Sequence, residues 1–283
     1  MNKAGKIFLK GLLKSFISIA LVLGAAVLSY HAVFRLFHIP EVEGVSASPI
    51  RQQKRITTAT IDDVSKHLIF CVGDDGEVIK LLLEVYHCAQ KRMSYFTIPI
   101  ETRITMSDTL YKELILVNPS VPQIMKLSVI TKHFPEETAY EYGVLLVEEL
   151  LNIRMSYYTI VPLGIYESVF QTEGPVEDRK EPGSGQVEVE RVYPKEIFSK
   201  KFMSKIQEFQ TEEDLRIYLE EVYEEIESNL SLDAKMNYVD SYLKLPPGNI
   251  TFELIAGKKT NSAYVIDRSK AAEQLARITG QVR

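Results

Sequence analysis

Apolar and polar positions divide the chain into one long uncharged run followed by many short ones. Ser15–Phe34 reads SFISIALVLGAAVLSYHAVF, twenty residues without a formal charge. A helix of that length rises about 30 Å, the thickness of a bilayer's hydrocarbon core. Ile39–Asp62, with Pro40, Gly44, Ser46, Ser48 and Pro49, reads as a stalk. Lys66–Gly73 (KHLIFCVG) is nearly all apolar, the pattern of a strand buried on both faces. Val78–Tyr86 is a second such run. After a polar break at Gln90–Arg92, Met93–Ile98 completes a hairpin with it. The pattern then predicts helices over Ser107–Leu116, Val121–Lys132 and Thr138–Leu151, the last opened by Pro135-Glu136-Glu137.

Tyr157–Pro162 is a further expected strand. Gly174–Gly185 (GPVEDRKEPGSG) is a loop, and Val187–Val192 alternates like a half-exposed strand. Helices follow over Phe198–Phe209 and Glu213–Ile226, the second with Leu215, Leu219, Val222, Tyr223 and Ile226 on one stripe, and Ser231 opens a short one. Strands at Ile250–Ile255 and Tyr264–Ile266 and a helix over Ser269–Ile278 close the chain. The sum is an α/β fold: a mixed central sheet flanked by helices, preceded by one N-terminal transmembrane helix.

Charge orients the apolar run. Lys3, Lys6, Lys10 and Lys14 precede it, and no acidic residue occurs before Glu41. That asymmetry places residues 1–14 in the cytoplasm, 15–37 in the membrane, 38–63 in a stalk and 64–283 in an extracytoplasmic domain of a single-pass cell-membrane protein. A cleaved signal peptide is the competing reading, against which stand the length of the run and the lack of a small-x-small site. Without the five basic residues of the anchor and its flank, the chain has 28 Lys and Arg against 38 Asp and Glu, a balance of −10. Such a domain does not suit non-specific nucleic-acid binding. Cys71 and Cys88 lie in apolar segments outside any Cys-x-x-Cys motif, and read as two buried thiols or one disulfide. The five histidines show no metal-ligand spacing.

Several segments, in order, resemble the LytR–CpsA–Psr family of bacterial cell-envelope proteins. Leu68–Asp75 (LIFCVGDD) is similar to the family's first strand, "ILLLGSD". Thr97–Arg103 (TIPIETR) is similar to its "SIPRDT" signature. Val147–Ile160 (VEELLNIRMSYYTI) follows its "LLGI-IDYYV" segment, and Glu227–Ser231 (ESNLS) its late "TNLS". The resemblance spans roughly Val64–Ile278. It implies an extracytoplasmic α/β/α domain that moves a glycopolymer from a polyprenyl-pyrophosphate carrier to peptidoglycan. The lipid tail would lie in an apolar tunnel, arginines would bind the pyrophosphate and aspartates would hold Mg2+. Cationic groups and metal would offset the charge developing on the phosphate oxygens.

The chain departs from this pattern at the arginines. The signature arginine falls on Ile100 and its aspartate on Glu101. The family's "RSD"-like segment reads Gly76-Glu77-Val78-Ile79 here, and Lys200 and Lys201 stand near its arginine–glutamine motif, point charges in place of a fork. The resemblance makes Glu101 and Arg103 the candidate catalytic pair, Lys200 and Lys201 candidate phosphate contacts, and Asp74 and Asp75 candidate metal ligands. Each has a blander reading. Asp-Asp-Gly is good turn chemistry, Glu101 and Arg103 suit an exposed ion pair, the two lysines suit a solvated helix start, and Lys258 and Lys259 suit a hairpin turn. Val144, Leu145 and Tyr157–Ile160 suit a lipid tunnel or an ordinary core. Three functions remain open: a degenerate relative that binds a polyprenyl phosphate or a wall-assembly partner, an active glycopolymer phosphotransferase, and an unrelated membrane-tethered interaction module.

Overall fold

The computed structural model describes residues 63–174 and 194–279, without the side chains of Glu136 and Glu137. The expected anchor Ser15–Phe34, the stalk Ile39–Asp62, the loop beyond Gly174 and the strand over Val187–Val192 lie outside those residues. No helix among the described residues is long and apolar enough to cross a membrane.

The strands β1 (Val64–Val72), β2 (Val78–His87) and β3 (Arg92–Thr97) form an antiparallel meander. Next come β4 (Arg103–Thr105), α1 (Asp108–Val117) and β5 (Ile124–Lys126), which pairs back onto β4. The helices α2 (Ile130–His133) and α3 (Glu136–Leu151) lead to β6 (Tyr157–Pro162), parallel to β1. Then follow α4 (Leu163–Val169), the ladder of β7 (Phe170–Glu173) with β8 (Lys195–Phe198), α5 (Lys200–Ile206) and α6 (Glu212–Tyr223). A short β9 (Glu227–Ser228), α7 (Leu232–Met236) and α8 (Val239–Leu243) precede β10 (Ile250–Leu254). The hairpin of β11 (Gly257–Lys259) and β12 (Tyr264–Ile266) and the helix α9 (Arg268–Thr279) end the described chain.

The central sheet has the order β10-β3-β2-β1-β6-β9 and is mixed, as expected. The pairings β1 with β6 and β3 with β10 are parallel, so the carboxyl ends of these four strands point to one end of the sheet. β1 is near-continuously apolar because both its faces are covered. Leu68 and Phe70 join Leu81, Leu83, Val85 and Phe96 under α1, α3 and α9 on one face. Ile69 and Cys71 join Leu82, Tyr86 and Tyr95 on the other, under Tyr166, Phe170, Phe198 and Tyr238. α3 lies close because Gly143 has no side chain: a Cβ there would stand 3.0 Å from the Phe70 ring.

Two expectations are corrected. Val121–Lys132 is not a helix but β5, a 3₁₀ turn over Leu127–Val129 and the four-residue α2. Pro122 removes a backbone donor and biases Val121 toward extended geometry, and the ladder with β4 then takes Ile124–Lys126. Lys258 and Lys259 lie on β11, while the turn is closed by Thr260 N–H donating to Ala263 O at 2.8 Å. The thiols are free: Cys71 lies opposite Lys80 near the carboxyl end of β1, and Cys88 lies at the other end, its N–H donating to Asp63 O.

Candidate functional site

Open α/β sheets bind ligands outside the carboxyl ends of their strands. Asp74 and Asp75 lie there, exposed, in the turn joining β1 to β2. Asp75 Oδ1 accepts from the Glu77 N–H at 3.2 Å, Gly76 adopts φ 75°, and Gly76 N–H donates to Gly73 O. Glu77 pairs with Lys132 at 2.8 Å, and the Asp75 charge adds to Glu77 in raising the Lys132 pKa. A donor set for Mg2+ would need these carboxylates unopposed, but an ammonium group stands beside them. Among the described residues no three His, Cys, Asp or Glu side chains cluster as a metal site. The residues at this turn therefore do not fit a protein-held dication.

Glu101 and Arg103 lie beyond the end of β3. The segment is pinned by Leu127 N–H to Thr102 O and Ser128 N–H to Ile100 O, and Glu101 forms an ion pair with Lys126. Arg103 is exposed and directly opposite Lys126 in the β4–β5 ladder. The stretch from Lys126 to Lys132 thus touches both the Glu101 and the Glu77 corners. Lys200 and Lys201 are exposed in the first turn of α5, which Ser199 caps by accepting from Phe202 N–H. They sit on the aromatic side of the sheet. A further cation, Lys80, points to that side from β2. It donates to both carboxylate oxygens of buried Glu196, at 3.2 and 3.3 Å, and stands 5.4 Å from the Tyr166 ring centroid. The Tyr166 hydroxyl is buried without a hydrogen-bond partner.

Two residues on, along the same face of β2, comes Leu82, and after it a buried charged network that reading the sequence missed. Glu84 Oε2 accepts from the Tyr95 hydroxyl at 2.7 Å. Lys235, from α7, donates to the Tyr157 and Tyr242 hydroxyls at 3.0 and 2.9 Å and lies 3.9 Å from Glu84 Oε1. Burial pushes the Glu84 pKa up, but the Lys235 ammonium and the Tyr95 hydroxyl that donates to it outweigh burial and hold the carboxyl below the ordinary carboxylate range. Burial lowers the pKa of Lys235 and of His67.

The tautomer of neutral His67 follows from its neighbours. Ser228 Oγ donates to Tyr158 O, so it accepts from Thr159 Oγ1, and Thr159 in turn accepts from His67 Nε2–H at 2.8 Å. The bare Nδ1 then faces Glu84 Oε1 at 3.5 Å, acceptor to acceptor, and both atoms are buried without a hydrogen bond. A sequence signal existed: Glu84 interrupts the apolar run from Leu81 to Tyr86 in β2.

Tyr95 packs against Phe170, Phe198 and Phe252 at centroid distances of 5.3 to 5.4 Å, so rings close this face between the two charged pairs. Two grooves among the described residues lie elsewhere. One, of about 890 Å³, runs between α9, Lys66 and Leu151–Ile153. The other, of about 330 Å³, lies between the start of α1 and the end of α3. Neither touches Asp75, Glu101 or Arg103.

No family model matches the sequence, and no curated protein matches it. Solved structures do. TagV of Bacillus subtilis superposes with a TM-score of 0.53 at 13% identity, over 79% of this chain and 100% of its own. A Streptococcus agalactiae protein gives 0.51 at 10% identity, over 78% of this chain and 89% of its own. The LytR-CPS2A-psr family protein YwtF (TagT), solved with octaprenyl pyrophosphate, gives 0.45 at 13%, over 78% of this chain and 93% of its own. The domain has the fold of the LytR–CpsA–Psr proteins, in agreement with the ordered resemblance in its sequence.

Proposed function

We propose that this chain is a membrane-anchored, extracytoplasmic relative of the LytR–CpsA–Psr proteins that binds a polyprenyl phosphate or pyrophosphate with little turnover. The fold and the sequence resemblance support the ligand class. The observation that carries the reading is the state of the cations at the strand ends. The segments directly following β1, β3, β6 and β10 contain one arginine, Arg103. Lys80, Lys126 and Lys132 are each engaged by a carboxylate of the chain itself, and Arg103 and Lys258 stand exposed on the neighbouring ladders. A transition state that gains negative charge needs cations aimed at it and uncompensated beforehand. Cations already paired hold a phosphate weakly and stabilise its transfer less. No step in this reading passes through magnesium.

The test uses the full chain in detergent or nanodiscs with a polyprenyl pyrophosphate. Saturable lipid binding, with phosphate release at the protein-free rate whether or not Mg2+ is added, is the expected result. Glycopolymer transfer or phosphate release at the pace of a catalytic relative overturns the non-catalytic half of the proposal. Absence of lipid binding overturns the ligand class and leaves the interaction-module reading.

A further inference from the structure

We propose that the outer face of the β4–β5 and β11–β12 strands docks on an anionic membrane leaflet. The inference rests on the membrane-anchored reading above, but on different residues from its ligand class. The two ladders are neighbours, because Thr102 bridges to Tyr264 and the Tyr264 N–H donates to Glu101 O at 3.0 Å. Register sets the row of side chains. Arg103 is opposite Lys126, and Lys258 is opposite Val265. Continuing the parallel bridge from Thr102 and Tyr264 puts Arg103 beside Val265. Lys126, Arg103, Val265 and Lys258 therefore form one row across four strands about 4.8 Å apart. Lys259, also exposed, follows Lys258.

In this row Arg103 faces Lys126, whose charge is matched by Glu101, and Arg103 and Lys258 are exposed. A large apolar side chain stands exposed among them: Ile124, 56% accessible, lies on the same face as Lys126, two residues away in β5. Carboxylates border the row: Glu101, paired with Lys126; Asp108, accepting from Gln123 Nε2; Glu149, accepting from Ser107; and Asp267, just past β12, beside Lys270. Basic groups flanked by an exposed apolar side chain suit an interface of anionic headgroups over acyl chains.

Charge elsewhere points the same way. The domain is acidic, and α6 with its flanks carries Glu208, Glu212, Glu213, Asp214, Glu220, Glu221, Glu224, Glu225 and Glu227, all exposed. An anionic leaflet repels that side and attracts this one. The geometry permits it. The face lies beyond the carboxyl ends of β3 and β10, while the chain enters the domain at the amino end of β1. Nine residues of β1 separate these ends by about 30 Å. The twenty-five residues 38–62 can reach about 80 Å when extended. That length lets the domain turn this end to the bilayer and brings the strand-end rim to where a lipid-linked ligand resides.

The test is hydrogen exchange of the full chain in nanodiscs of phosphatidylcholine with and without phosphatidylglycerol. Peptides covering β4, β5 and β11 should exchange several-fold more slowly with phosphatidylglycerol present, and high salt should abolish the difference. Arg103→Glu with Lys258→Glu should abolish it too, and Ile124→Ser should reduce it about five-fold while peptides of α6 exchange unchanged in every variant. Equal exchange in the two lipids, or protection that survives the charge reversal, overturns the docking surface. Polyprenyl binding without lipid-dependent protection removes this inference alone. Protection without polyprenyl binding removes the proposed ligand alone.

Discussion

The two faces of the central sheet are built from the same strands by opposite chemistry. The face under α1, α3 and α9 is alkyl-rich and closely fitted, with Gly143 admitting the Phe70 ring. The opposite face is aromatic and holds ionised groups: Lys80 with Glu196 toward one end, and Lys235 with Glu84, beside neutral His67, toward the other. Alkyl packing tolerates only changes of shape. A buried charged network tolerates only changes that keep its partners matched, since an orphaned charge costs far more than a lost contact. The first face should respond to volume and the second to charge and pH.

The sharpest way to break this contrast is to orphan a charge. Glu84→Ala leaves the Lys235 ammonium buried among the Tyr157 and Tyr242 hydroxyls and should destabilise the domain by about 4 kcal/mol in urea unfolding. Lys235→Met should cost as much alone. The pair Glu84→Ala with Lys235→Met should cost less than the sum of the two singles, whereas strict additivity would show that the two do not interact.

Acid tests the same face without mutation. Glu84 titrates at about 2 in the fold against 4.5 outside it. The unfolded chain therefore binds more protons between those values, and stability present above pH 4.5 is lost as pH falls toward 2, by about 3 kcal/mol. His67 acts earlier with the same sign. Its folded pKa lies below 6.5, so its contribution starts to fall as pH drops through 6.5. Glu84→Gln should flatten the acid limb of a stability–pH curve. An unchanged limb would mean that other carboxylates set it.

On the alkyl face, Gly143→Val should cost about 2 kcal/mol through overpacking against Phe70, with no change in pH dependence. Thr211→Ala is the smallest probe. It removes the capping box that Thr211 forms with Asp214 at the start of α6, and should cost about 1 kcal/mol. Thr211 caps the end of α6 opposite Tyr223, the residue of that helix coupled to Glu84, so the Glu84 titration should be untouched by it.

Much of the architecture was legible in local pattern. β1 reads as buried because it is, and the Gln90–Arg92 break does join two antiparallel strands. The helix over Thr138–Leu151 is found at Glu136–Leu151, and that over Ser107–Leu116 at Asp108–Val117 behind its Ser107 cap. Val121–Lys132 failed because a ladder with a strand some twenty residues earlier outweighed local periodicity. The stripe on α6 is real but only half-covered, since periodicity records which side is apolar and not what lies against it.

The candidate site was less legible. Sequence places Asp75, Glu101 and Arg103 at strand ends, but the partners that decide their chemistry, Lys132 and Lys126, come from a segment misread as helix. Lys235 lies 151 residues from Glu84, and no spacing rule joins them.

By itself the sequence determined the alternation of strands and helices, the buried central strand, the acidic balance of the domain and its likeness to an envelope family. These follow from local periodicity, composition and short motifs, which residues carry wherever they are placed. Tertiary structure alone decided that Arg103, Lys126 and Lys258 share one row, that Lys80 is neutralised by Glu196, and that an ionised Glu84 survives among tyrosines. Those facts depend on distances between residues far apart in the chain, and electrostatic energy is set by distance and burial.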